Sequence, residues 1–166
     1  MSILAYIAIG SNLGDRLANC GAALDRLGRL PGTTLLRASP LIETEPEEDV
    51  AGGSFLNGVA EIVTELPPRP LLIELQTIEA ALGRVTRHAP GTARTMDLDL
   101  LLYGDLVMEE ADLSIPHPRM TARRFVLEPL AALAPGLRHP VLNVTIQELL
   151  RRLDPTRRDS PSGVPA

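Results

Sequence analysis

Thr95-Met96-Asp97-Leu98-Asp99-Leu100-Leu101-Leu102-Tyr103, closed by Gly104-Asp105, decides the fold, because it reads as the strand that completes a β-α-β-β-α-β order. Before it, Arg84 to Ala93 carries Gly, Pro and Thr without periodicity and is expected to be a loop. Upstream of that loop, Pro67-Pro68-Arg69-Pro70 opens a helix with Leu71, Leu75, Ile78 and Leu82 on one face, and Gly83 ends it. Ser54 to Thr64 reads as a third strand. An acidic, Gly-containing loop, 43–53, separates it from a second strand at Thr33 to Ile42. The chain opens with a short apolar strand, Ile3 to Ile9. A turn at Gly10-Ser11-Asn12-Leu13-Gly14-Asp15 leads into a helix with Leu17, Cys20, Leu24 and Leu27 on one face, stopped by Pro31-Gly32. Two helices can cover one face of a four-stranded antiparallel sheet, which is the ferredoxin-like α+β plan. Past Tyr103 the sequence predicts a hairpin from Leu106 to Ile115 and a turn at Pro116-His117-Pro118. Extra C-terminal helices are expected near Arg123 to Leu133 and Thr145 to Leu153. The expected organisation is a single domain over residues 1–154. Residues 155–166, rich in Pro, Ser and charge, are expected to form a disordered tail.

Composition narrows the function. The chain has 166 residues, 45% of them hydrophobic, and a net charge of -5, as befits one globular domain with a real core. Its 16 basic residues are all arginine. Without lysine there is no P-loop and no Schiff-base or kinase-type lysine chemistry. Tyr6, Phe55, Tyr103 and Phe125 are the whole aromatic complement, too few for a base-stacking platform. With the acidic balance, this argues against nucleic acid as a partner. No apolar run is long enough for a membrane span. Residues Met1 to Tyr6 lack a basic n-region and a cleavage site, and the lone Cys20 has no disulfide partner, so a reducing cytoplasm is expected. Cys20 itself reads as core packing.

Chemistry concentrates around the deciding strand. Residues i and i+2 of a strand share a face, so the carboxylates of Asp97 and Asp99 point the same way, roughly 6.5–7 Å apart along the backbone, with Leu98 and Leu100 toward the core. Such a pair repels itself unless something positive intervenes, and one or two Mg²⁺ ions would suffice. A bare Asp-x-Asp is also compatible with a solvated face. Its neighbours favour the metal. Arg84, Arg87, His88 and Arg94 precede it, and His117, Arg119, Arg123 and Arg124 follow, two acid-free basic stretches in an acidic chain. Carboxylates, Mg²⁺ and arginine forks are what a polyphosphate requires. Phe55 and Asn57 share another strand face, and a ring beside an amide suits a flat heterocycle with a donor–acceptor edge. Phe125 is the candidate for the opposite wall. Gln76 and Glu79, off the apolar stripe of their helix, either line the site or are solvated, with helix position favouring the latter. The Gly10–Gly14 segment is neither a dinucleotide fingerprint nor a P-loop, and reads as a turn capped by Ser11 or Asn12.

Ala5-Tyr6-Ile7-Ala8-Ile9-Gly10-Ser11-Asn12-Leu13-Gly14-Asp15-Arg16 resembles the N-terminal signature of the 6-hydroxymethyl-7,8-dihydropterin pyrophosphokinases. So do Phe55-Leu56-Asn57, Ile78-Glu79 to Gly83-Arg84, Arg94-Thr95-Met96-Asp97-Leu98-Asp99-Leu100-Leu101, and Pro116-His117-Pro118-Arg119 through Arg123-Arg124-Phe125-Val126-Leu127. These motifs stand in the family's order and span about Ile3 to Pro135. The resemblance implies a ferredoxin-like fold and transfer of pyrophosphate from ATP, the co-substrate, to the pterin's hydroxymethyl oxygen in folate biosynthesis. It implies two Mg²⁺ on Asp97 and Asp99. Arg84, Arg87, Arg94, His117 and Arg123 would serve the triphosphate, with Arg84 and Arg94 catalytic, and Gln76 and Glu79 would line the nucleotide side. Phe55 and Phe125 would sandwich the pterin, while Asn57 and the backbone near Thr44 read its edge. A monomer is the expected state. The sequence departs from the family at Thr44-Glu45-Pro46, at Thr86, and in Pro90-Gly91-Thr92-Ala93-Arg94. The last two fall in the loop expected to close over ATP. Two other readings stay open here: a two-metal nucleotidyltransferase releasing pyrophosphate, and a non-catalytic ligand-binding module of the same fold.

Overall fold

The computed structural model describes residues 1–45, 53–83 and 95–153. Strands β1 (Ile3–Ser11), β2 (Thr33–Ala38), β3 (Ile42–Thr44), β4 (Phe55–Thr64) and β5 (Asp97–Tyr103) form one antiparallel sheet. Its order is β2-β4-β1-β5, with β3 as a further partner of β4. Helices α1 (Arg16–Leu27) and α2 (Pro68–Ala81) form the two crossovers. This is the ferredoxin-like arrangement that the element order predicts.

Alternation along the strands divides the core in two. Ala5, Ile7 and Ile9 of β1, Ala60 and Ile62 of β4, and Leu98 and Leu100 of β5 pack against Cys20, Ala23 and Leu27 of α1 and Leu71, Leu75 and Ile78 of α2. The opposite face carries Tyr6, Val59, Leu101 and Leu102. It is covered by Met120, by Val126, Leu127 and Leu130 of α3 (Arg124–Leu133), and by Ile146 and Leu149 of α4 (Ile146–Leu153). The extra helices are therefore the second layer of a sheet buried on both sides. Leu101 and Leu102 both belong to that second face because the β1–β5 register shifts between Tyr6 and Ile7, where Tyr6 pairs Leu102 and Ile7 pairs Leu100.

One carboxylate lies inside the second face. Glu61 is 6% exposed. It accepts a 2.6 Å hydrogen bond from the Tyr6 hydroxyl and a two-pronged contact from Arg37 at 2.8 and 3.1 Å. The Arg37 guanidinium holds its pKa below the usual carboxylate range against the opposing effect of burial.

Several local expectations are corrected. The strand predicted from Thr33 to Ile42 is broken at Ser39-Pro40-Leu41 into β2 and β3, both paired with β4. Ser39 donates its N–H to Val59 O and accepts the Val59 N–H on Oγ, each at 2.9 Å, while Pro40 has no N–H to give. Leu17 is 67% exposed and not on the core face of α1, where Ala23 joins Cys20 and Leu27 instead. The helix cap is Asp15, accepting the Ala18 N–H at 3.1 Å, because β1 runs on to Ser11 and the helix starts later than the Gly10 turn suggests. The predicted hairpin is present as β6 (Met108–Glu110) and β7 (Leu113–Ile115), tied to α2 by Arg69 with Glu110 and Asp112. Among the described residues no helix is long and apolar enough to cross a membrane. The tail expected at 155–166 lies outside the described residues.

Candidate active site

The candidate site residues Asn57, Asp97 and Asp99 lie on the second face of the sheet, at the end where β1 leaves for α1. Gly10 pairs with Asn57 on β4 and with Asp97 on β5. Asn57, Gly10 and Asp97 thus form one row across three strands, and the next row on that face is Val59, Ala8 and Asp99. Two strand spacings of about 4.8 Å put Asn57 and Asp97 about 10 Å apart, side chains on the same face. Phe55, two residues before Asn57, shares that face. Asp97, Asp99 and Phe55 are half-buried and Asn57 is buried.

Gly10 makes room in this row for the Asn57 amide. A Cβ there would stand 2.8 Å from Asn57 Oδ1 and 3.6 Å from the Phe55 ring. Sequence reading placed Gly10 in a turn and missed it as a site residue. The available signal was a glycine at the end of an otherwise β-branched and apolar strand, which marks close approach of another group. Asn57 is oriented from its far side, where its Nδ2 donates to Thr44 Oγ1 at 2.6 Å. Thr44 therefore meets Asn57 through its side chain.

Residues from the covering layer complete the mouth. Phe125, at the start of α3, packs onto the second-face cluster. Arg123 lies just before it, its guanidinium 5.5 Å from the Phe125 ring centroid. His117 is anchored to the edge of β5 by its N–H, which donates to Leu101 O at 2.9 Å. Its Nδ1 accepts the Arg119 N–H at 3.1 Å, so Nε2 carries the proton. Burial, reinforced by the positive charges of Arg123 and Arg119 and opposed by Asp97, pushes the imidazole down to about 4. His117 is a neutral donor at pH 7.

Glu79 departs from the solvated alternative. It is 8% exposed, and its Oε2 accepts the Leu98 N–H at 2.7 Å, between the two aspartates in sequence. It supports the open edge of β5. Gln76, one turn earlier on α2, is exposed. Arg84, Arg87, His88 and Arg94 lie outside the described residues. Among the described residues no group of three or more His, Cys, Asp or Glu is placed to hold a metal by itself.

The chain is a small ferredoxin-like α+β domain that carries paired carboxylates, Arg123 and His117, and Phe55 and Phe125 as candidate site residues. The family model of 7,8-dihydro-6-hydroxymethylpterin-pyrophosphokinase matches residues 6–135, and the chain belongs to that family. It is 47% identical over 135 residues to the 2-amino-4-hydroxy-6-hydroxymethyldihydropteridine pyrophosphokinase of Pseudomonas aeruginosa, covering 81% of this chain and 83% of that one. It is 43% identical over 150 residues to the folic acid synthesis protein fol1 of Schizosaccharomyces pombe, spanning 90% of this chain but a fifth (20%) of that protein. Among solved structures, a Plasmodium falciparum HPPK-DHPS structure superposes with a TM-score of 0.75 at 18% identity, over 92% of this chain and 45% of that one, which bears on the fold alone.

Proposed function

We propose that the chain transfers pyrophosphate from ATP to the hydroxymethyl oxygen of 6-hydroxymethyl-7,8-dihydropterin. In this reaction the hydroxymethyl oxygen attacks the β-phosphorus, the bond from that phosphorus to the α-phosphate oxygen breaks, and AMP leaves with the electron pair. The hydroxyl proton is released. The observation that carries the reading is the Asn57–Gly10–Asp97 row. It sets a heterocycle reader and a carboxylate on one face, with a glycine between them whose missing side chain lets the Asn57 amide lie over β1. A flat ring beside Asn57 projects a one-carbon arm toward Asp97.

The roles follow from the chemistry of each side chain. Phe55 and Phe125 hold the ring between their faces, and Asn57, fixed by Thr44, offers an amide to its edge. Asp97 and Asp99 are assigned two Mg²⁺ ions. The donor set fits, because Mg²⁺ binds through one or two carboxylates and takes its other ligands from phosphates and water. When bound, such ions neutralise the phosphate oxygens. Arg123 and His117 donate to the triphosphate, His117 through Nε2–H without adding a charge. Gln76 serves the nucleotide side, with Glu79 holding β5 behind it. Arg84, Arg87 and Arg94 are assigned to the triphosphate by family motif, with Arg84 and Arg94 in the catalytic role. Positioning and charge neutralisation supply the catalysis, so no covalent enzyme intermediate is needed. The reading includes a cytoplasmic monomer that acts on small molecules, without nucleic-acid or membrane partners.

A product assay with ATP, Mg²⁺ and the reduced pterin alcohol tests the reaction. AMP and the pterin diphosphate ester are expected in equal amounts. ADP with a pterin monophosphate, or release of free pyrophosphate as by a nucleotidyltransferase, would overturn the assignment, as would no turnover at all.

A further inference from the structure

The first residue of α1 makes contacts that no substrate role explains. Arg16 donates from one guanidinium nitrogen to Ser54 O at 2.9 Å and from another to Glu43 Oε2 at 2.6 Å. Ser54 immediately precedes β4, and Glu43 is the middle residue of β3. The fork therefore bridges the two strands that carry the ring side of the site. Their ladder is short: Ile42 pairs Asn57, Glu43 pairs Leu56 and Thr44 pairs Phe55. Every pair in it holds a ring-side residue or is adjacent to one, and a strand this short has little cooperative stability of its own.

The placement of Arg16 is locally unfavourable. A cation in the first turn opposes the helix dipole, and α1 has no acidic residue in that turn. Glu43 and the Ser54 carbonyl offset this from outside the helix. With side-chain exposures of 31% and 58%, the Arg16–Glu43 pair contributes little to global stability. What the fork does well is geometric, since its planar donors fix two acceptors at once. The anchor is rigid, because α1 is seated in the core by Cys20, Ala23 and Leu27.

We infer that Arg16 is a positioning residue for the heterocycle: it clips β3 to the start of β4 and so holds Thr44 against Asn57 and sets Phe55 at the height of the ring. This rests on the function proposed above. The Arg16 fork acts on β3 and on the residue before β4, the strands on the ring side of the site, so its influence falls on one substrate.

Steady-state kinetics of Arg16→Ala and Arg16→Lys, with each substrate varied, test it. Arg16→Ala is expected to raise KM for the pterin about tenfold, the scale of a sub-ångström misplacement, and to leave KM for ATP unchanged. Arg16→Lys reaches one acceptor and recovers part of the loss. Glu43→Ala reproduces part of it, and adding Glu43→Ala to Arg16→Ala costs nothing further. Hydrogen exchange supplies a readout that needs no turnover: in Arg16→Ala, amides of 42–44 and 55–57 exchange faster while those of β5 do not. That measurement separates the two ideas, since a wild-type protein without pyrophosphokinase products would sink the proposed function and leave the clip to be judged by exchange. An unchanged pterin KM would overturn the clip. So would equal rises in both KM values with a lowered thermal midpoint, full activity of Arg16→Lys, or unchanged exchange in the β3–β4 ladder.

Discussion

At Gly10 a single added carbon would stand 2.8 Å from Asn57 Oδ1, closer than packed atoms tolerate. Gly10→Ala must push the Asn57 amide off Thr44 or tilt Phe55. The expected result is pterin affinity lowered about tenfold or more, from an overpacking cost of about 1–3 kcal/mol, with nucleotide affinity little changed. Equilibrium titration of each substrate checks this, and an unaltered pterin affinity would remove Gly10 from the site. The carboxylates make the opposite prediction. Asp97→Asn and Asp99→Asn should each lower turnover on the order of 10²-fold or more, with circular dichroism unchanged. Near wild-type Mg²⁺-dependent activity in either variant would refute the metal assignment. The aspartates were legible because a two-residue spacing on a strand fixes a shared face. Gly10 was not, because what it accommodates belongs to a strand reached 47 residues later in the chain.

Among the elements, β5 carries the largest share of the proposed chemistry while lying at the sheet's edge. One side of it pairs with β1, and on the other Glu79 of α2 takes the Leu98 N–H. Glu79→Ala leaves that N–H without its acceptor and should destabilise the fold by about 1–3 kcal/mol. Because Leu98 lies between the two aspartates, turnover should fall as well. Glu79→Gln keeps an acceptor oxygen and should retain most of both. Urea unfolding and initial rates of the two variants decide it; equal stability of Glu79→Ala and wild type would mean that the edge needs no support. Helical periodicity could not reveal this role. Glu79 lies beside the apolar stripe of α2, and only the docking of that helix on β5 turns a polar flank into a buried contact.

For the whole molecule, two histidines, His117 half-buried and His139 buried, make stability depend on pH between neutral and mildly acidic conditions. His117, at the site, is pushed down to about 4, chiefly by burial. His139, between α3 and α4, is lowered by the same cause, and its Nδ1 accepts the N–H groups of Val141 and Leu142. In both, the folded state holds a proton less readily than the unfolded chain, whose imidazoles titrate near 6.5. Their contribution is therefore present above pH 6.5 and is lost as pH falls from there toward 4, where the folded form of His117 begins to charge. Urea midpoints of the substrate-free protein should fall between pH 7.5 and 5.0, a range above the usual carboxylate titrations. A flat profile would contradict the lowered pKa of both rings. The order of strands and helices and the alternation that separates Leu98 and Leu100 from Asp97 and Asp99 were determined by the sequence alone. They depend on spacings of two to four residues, which the backbone converts directly into faces. The break at Pro40, the layer that α3 and α4 lay over the second face, the Glu79 support and the Arg16 clip were decided only by tertiary structure. Each joins groups far apart in the chain, as Arg16 and Ser54 are at a separation of 38 residues, and no local period records which distant partner a side chain will meet.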